Sequence, residues 1–174
     1  MTAGEMTDLF CDPKGKATNQ SAPILLSRVD NTKPFTFTVK VKPQFTKNGT
    51  YSAGGIMLFE NPEQWQKLCF EQDEAGKHRI VTVRTLEFSD DNNHEQIAGD
   101  YVYLRISSDT ELIGNYYSED GVNWQLVRVY KNNFLPVVYF CLSTQSPKDK
   151  VHRSSFSDVS MVDKPVKNFR TGEL

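Results

Sequence analysis

The stretch Tyr116-Tyr117-Ser118-Glu119-Asp120-Gly121-Val122-Asn123-Trp124 decides the architecture of this chain. Aromatic and β-branched residues flank Ser-Glu-Asp-Gly. An Asp-Gly pair between such runs is a strong hairpin signal, because glycine takes a positive φ with no Cβ to clash. The pattern Ser-x-Asp-Gly-x-x-Trp recurs in β-sandwich domains, where the Trp packs as the returning strand begins. The turn is expected at Glu119–Gly121, with Trp124 at least partly buried against a sheet.

Outward from this hairpin, strand-like runs follow one another at short intervals, separated by turn residues. They are Ile24–Val29, Phe35–Val41, Gly54–Glu60, Gln66–Glu71, Ile80–Thr85, Tyr101–Ser107, Glu111–Ser118, Trp124–Tyr130, Val137–Thr144 and Ser155–Val162. Many short strands with regular turns predict an all-β sandwich or barrel. Helix is confined to one turn at most, at Asn61-Pro62-Glu63-Gln64, where Pro62 is preset for it. No repeat or linker divides the chain, so a single domain is expected over residues 7–163. Residues 1–6 and 164–174 lack strand pattern and read as flexible termini.

Alternation assigns faces. In Gln66–Glu71, Leu68 and Phe70 point one way; Lys67, Cys69 and Glu71 point the other, and Trp65 leads into that second face. In Tyr101–Ser107, Leu104 and Ile106 oppose Tyr103 and Arg105. Trp65, Lys67, Glu71, Arg105, Tyr117 and Arg128 are therefore expected to share one sheet face, opposite the core set Leu68, Phe70, Leu104 and Ile106. An aromatic ring with Arg, Lys and Glu beside it can stack a sugar or clamp an anion. The same set also reads as a salt-bridged sheet face around a packed Trp.

Bulk properties narrow the function classes. The 174 residues carry a net charge of −2 and have no Lys/Arg run, so no field draws nucleic acid. Cys11, Cys69 and Cys141 are odd in number and far apart, unlike a secreted disulfide framework, and Cys69 and Cys141 sit in apolar runs. The first residues are acidic where a secretory segment is basic, and no apolar run approaches ~18 residues. The expected address is the cytoplasm, with no membrane partner. The sequons at Asn19 and Asn48 read as chance matches.

The ordered motifs Ala22-Pro23-Ile24-Leu25-Leu26, Phe35–Val39, Tyr51-Ser52-Ala53-Gly54-Gly55, Trp65-x-Lys67-Leu68-x-Phe70-Glu71, Ser89-Asp90, Tyr103-Leu104-Arg105-Ile106, Ser118–Trp124 and Ser155-Phe156-Ser157-Asp158-Val159 resemble one family. It is the concanavalin A-like jelly-roll family that includes bacterial YesU-like proteins and fungal proteins named "regulation of enolase", and the chain is most similar to the fungal branch. Asp91 stands where bacterial members carry a Trp, and Tyr51-Ser52-Ala53-Gly54 where they read Tyr-Asp-Gln-Ala-Gly. The resemblance implies a jelly roll of two antiparallel sheets, one concave. It also implies a regulatory protein partner, enolase, in sugar (galactose) metabolism.

Other motifs carry less. The acidic run Glu71-Gln72-Asp73-Glu74 evokes retaining glycosidases of this fold, whose two carboxylates lie roughly 5–5.5 Å apart on one strand. The second Glu is needed at 75 or 76, where Ala75 and Gly76 start a turn. The oxygen-rich loop Ser89–Glu95 suits Ca²⁺ in ligand type, but lacks an EF-hand spacing and reads as a polar surface loop. His78, His94 and His152 have no zinc spacing. No cofactor motif is present. The expectation is a non-enzymatic protein acting through protein contact, with a carbohydrate-binding module as the alternative and a glycoside hydrolase third.

Overall fold

Alternating apolar residues, β-branched and aromatic above all, can bury one face only by pairing into sheets that close on each other. The computed structural model describes residues 1–174 and arranges them in fourteen strands. These are β1 (Thr2–Gly4), β2 (Leu9–Cys11), β3 (Thr18–Gln20), β4 (Ile24–Asp30), β5 (Phe35–Pro43), β6 (Ala53–Asn61), β7 (Gln64–Gln72), β8 (His78–Leu86), β9 (Phe88–Gln96), β10 (Val102–Ser108), β11 (Leu112–Ser118), β12 (Gln125–Lys131), β13 (Val137–Gln145) and β14 (Val151–Val162). The first sheet runs β1-β14-β5-β10-β11-β12, the second β4-β13-β6-β7-β8-β9, and β2-β3 is a separate hairpin. All pairings are antiparallel. This is the expected all-β jelly-roll sandwich. No helix is long and apolar enough to cross a membrane.

The inner faces form the main core. Phe35, Phe37, Val39 and Val41 of β5 meet Ile56, Leu58, Leu68 and Phe70 of the second sheet, with Leu104 and Ile106 of β10 alongside. Phe140 anchors it: Phe35 meets its ring edge-on at 4.8 Å and Phe37 stacks at 4.6 Å. Each such buried side chain contributes about 1.5–3 kcal/mol. One polar pair crosses this interior. The Asn115 amide donates to Gln66 Oε1 at 2.7 Å, and Gln66 donates back at 3.2 Å. Both residues are fully buried, so each satisfies the other.

The deciding hairpin joins β11 to β12 through residues 119–124. Gly121 takes φ 78°. The exposed Asp120 carboxylate accepts the Val122 and Asn123 amides, each at 2.8 Å, and those bonds hold its acid well below the usual carboxylate range. Trp124 is half-buried and lies over the Arg105 guanidinium, 3.6 Å from carbon to ring centre.

Three expectations are corrected. Asn61–Gln64 is a tight strand turn rather than a helical one, because Asn61 Oδ1 accepts the amides of Glu63 and Gln64 and closes the β6–β7 hairpin. Ser89–Glu95 is no surface loop but most of β9, paired to β8 through a hairpin in which Glu87 takes φ 67°. As an edge strand it tolerates a polar sequence. Both termini are built into the fold. β1 pairs with β14, and the C-terminal segment lies on the outer face of the first sheet. There Val166 is buried, and its amide donates to Ser107 Oγ. Tyr116 Oη donates to Phe169 O at 3.0 Å, and Arg105 Nη1 donates to Gly172 O at 2.6 Å.

Arg105 thus clamps the C-terminal segment. Arg105→Ala removes that bond, the bond to Thr38 Oγ1 and the stack on Trp124. The expected loss is about 2–3 kcal/mol in urea unfolding, with faster tryptic cleavage after Lys167 and Arg170. An unchanged midpoint and cleavage rate would contradict this role.

Candidate functional site

Strand β7 turns Trp65, Lys67, Cys69 and Glu71 to the outer face of the second sheet. Register across the sheet sets Lys67 beside Met57 and Val83, and Cys69 beside Gly55 and Val81. Gly55 approaches so closely that a methyl there would sit 2.6 Å from Cys69 Cβ. Half of this face is sealed. The β2–β3 hairpin folds over it, and Leu9, Trp65, Cys69, Val81, Val83 and Cys141 form a second apolar core. The indole of Trp65 is fully buried, with Nε1 donating to Pro62 O at 3.2 Å. Cys11, Cys69 and Cys141 are all buried and unbridged.

The other half stays open as a cleft of about 620 Å³. Glu71, Asp91, Asn93 and Gln145 present polar groups to it, with Phe10 and Tyr51 among its walls. Lys67 lies at the boundary between sealed and open halves. Its ammonium donates to Leu9 O and to Gln145 Oε1, both at 2.8 Å, and lies 3.8 Å from Asp8. Gln145 is the hub: its Nε2 donates to Tyr51 O at 2.9 Å and reaches Glu71 Oε2 at 3.4 Å. Tyr51 takes φ 63° at the cleft wall. A non-glycine residue in that region is strained and is held there by its surroundings.

Glu71 is 8% exposed and has no cation within ion-pairing distance. Its partners are weak, the Cys69 thiol at 3.7 Å and the Gln145 amide. Burial, with Asp91 and Asp8 adding repulsion against the pull of Lys67, pushes its carboxyl up to about 8. Desolvation also raises the Asp91 carboxyl. Burial drives the Cys69 thiol well above its usual range. No three His, Cys, Asp or Glu side chains gather closely enough to hold a metal.

The six residues expected on one face are divided. Trp65, Lys67 and Glu71 do share the outer face of the second sheet, but Trp65 is sealed in the second core and offers no platform. Arg105 lies on the outer face of the first sheet, beneath the C-terminal segment, at the opposite side of the sandwich. Tyr117 points into the main core. Arg128 sits at the β12 edge with its guanidinium 3.5 Å from Asp90 of β9, bridging the two sheets. Parity within each strand is as expected; parity does not say which sheet a strand joins, and β7 and β10 join different ones. Arg105 is accordingly a structural residue of the far sheet, held by Thr38, Gly172 and Trp124, and no part of a ligand face shared with Lys67 and Glu71. Reading the sequence missed Tyr51, Asn93 and Gln145. Only the left-handed backbone of Tyr51, the pairing of Gln145 with Ala53 of β6 and the pairing of Asn93 with Val81 of β8 bring them to the cleft.

A family model matches residues 1–164. The chain belongs to that family, described as "Protein of unknown function (DUF1349)". No curated protein matches the chain at a significant level. Among solved structures it is similar to a functionally unknown protein from Saccharomyces cerevisiae, with a TM-score of 0.84, 21% identity, and 94% of this chain and 86% of that one covered. It is similar to the carbohydrate binding module CBM66 from Bacillus subtilis, at TM-score 0.55 and 10% identity over 82% of this chain and 83% of that one. A xylan beta-1,4-xylosidase from Bacillus halodurans C-125 matches at TM-score 0.64 and 14% identity; 92% of this chain aligns, spanning 32% of the enzyme. At these identities the likeness shows the shared fold.

Glu71 makes stability depend on pH. In the unfolded chain it titrates at about 4.3; in the fold it titrates at about 8. The folded state favours the neutral acid, so its contribution is complete below the unfolded value and is lost as pH rises towards 8. Between pH 5 and 8 wild type should lose at least about 1 kcal/mol relative to Glu71→Gln in urea unfolding. Parallel pH profiles for the two proteins would contradict the buried, raised carboxyl.

Proposed function

We propose that this protein binds a small saccharide or related polyol in the cleft on the outer face of the second sheet, without turning it over. The observation that carries the reading is a buried carboxyl lacking a cation, Glu71, in a cleft of about 620 Å³ that also offers Asn93 and the aromatic rings of Phe10 and Tyr51. Clefts of roughly 300–1,000 Å³ suit small ligands. A sugar needs both an apolar face to lie on and polar groups for its hydroxyls, and this cleft offers both. That a carbohydrate binding module shares the fold adds that such a sandwich can host this role.

Binding is favoured over hydrolysis for a chemical reason. A retaining mechanism on one strand needs a second carboxylate beyond Glu71, and the chain continues into the turn that carries Ala75 and Gly76. The cytoplasmic address is proposed on the three unbridged cysteines.

Regulation through protein contact is the second reading, with enolase as the partner that the family resemblance names. What favours it is the edge strand β4, where Leu25 and Leu26 stand 61% and 47% exposed. An apolar, unpaired edge is a surface that a partner covers.

Calorimetric titration with a panel of mono- and disaccharides tests the first reading. A dissociation constant between about 1 μM and 1 mM is expected for at least one sugar. Asn93→Ala and Tyr51→Ala should each weaken it about tenfold, and Arg105→Ala, on the far sheet, should not. No heat with any sugar, alongside saturable binding to purified enolase, would replace the first reading with the second.

A further inference from the structure

The cleft is strongly one-sided in charge. Five carboxylates line it, those of Asp8, Glu71, Asp73, Glu74 and Asp91, against the two ammonium groups of Lys67 and Lys148. Lys67 is already spent on Leu9 O, Gln145 Oε1 and Asp8. Asp73 is likewise committed, accepting from Arg79 Nε at 2.6 Å and from the backbone amides of Ala75 and Lys77. Glu71 is not committed. More than nine-tenths of it is buried, it lines the cleft, and its best donor lies 3.4 Å away. A buried acid with no cation beside it is costly unless it is neutral or a cation arrives.

We propose that the ligand carries a protonated amine beside its hydroxyls, as an amino sugar does, and that Glu71 receives that amine. This rests on the saccharide reading and narrows it. An anionic sugar meets repulsion from Asp8, Glu74 and Asp91, with no free cation deep in the cleft to offset it. A neutral sugar leaves Glu71 without a partner. An ammonium group would pair with Glu71, and it takes the place of the proton that burial keeps on that carboxyl at neutral pH.

That exchange is measurable. The groups facing Glu71 are Lys67 and Cys69 on its own strand, Asp91 on β9, Asp8 on the N-terminal segment and Gln145 on β13. Burial pushes its carboxyl up to about 8. Below that pH, binding an ammonium expels the proton, so affinity should rise from pH 6 to pH 7, below the range in which the ligand's own amine loses its proton.

The test is a titration of the full chain with glucosamine, glucose, N-acetylglucosamine and glucuronate at pH 7, in two buffers of different ionisation enthalpy. Glucosamine should bind at least tenfold more tightly than glucose or N-acetylglucosamine, with net proton release, and glucuronate should be weakest. Glu71→Gln should abolish the proton release and bring glucosamine within about threefold of glucose. Equal affinity of wild type for glucosamine and glucose would overturn the amine and leave the saccharide reading standing. Failure of all four to bind would overturn that reading, and this inference with it.

Discussion

Much of this structure turns on the ammonium of Lys67. A lysine that is 2% exposed must be paired with acceptors, or the charge is too costly to bury. Its two close acceptors come from different parts of the chain, a backbone carbonyl at Leu9 and a side-chain amide at Gln145. The first fastens the β2–β3 hairpin to the outer face of the second sheet and creates the small apolar core around Trp65 and Cys69. The second orients Gln145, whose other end holds the strained Tyr51 carbonyl and touches Glu71. One buried cation therefore separates the sealed half of the sheet from the open half and sets the walls of the cleft.

The opposite sheet is finished by different means. Its outer face is covered by the chain's own C-terminal segment, held by Arg105, Tyr116 and Ser107. The Arg105 guanidinium is buried between Trp124 and a backbone carbonyl, and that desolvation lowers its basicity to about 10. No carboxylate accompanies it, so the stack and the carbonyl stabilise the charge. The two outer faces thus differ in kind: one is closed by its own tail, and the other is left half open.

How much of this was legible in the sequence follows from what alternation measures. Strong period-two runs such as Phe35–Val41 and Tyr101–Ser107 gave their strands and their buried faces directly, and the Ser118–Trp124 stretch gave its hairpin. Strand β9 was hidden because an edge strand with one half-covered face has little apolar signal. β1, β2 and β3 were hidden because three-residue strands carry too few alternations to register. The site was only partly legible. Lys67 and Glu71 were found because they share a strand and a parity. Arg105 and Arg128 were grouped with them wrongly, since sheet membership depends on long-range pairing that no local pattern encodes; Tyr117 was grouped wrongly because alternation does not say which face of a strand turns inward. Gln145 and Asn93 come from strands β13 and β9, and only the folded register places them near Glu71.

The claim that this face holds a small polar ligand is tested most directly by mapping backbone amide shifts in an NMR titration with the tightest-binding sugar. The account predicts saturable shifts confined to Tyr51, Glu71, Asn93, Gln145 and their neighbours, with Arg105, Trp124 and residues 164–174 unmoved. Shifts centred on Arg105 and the C-terminal segment, or none at saturation anywhere along β7, would contradict it.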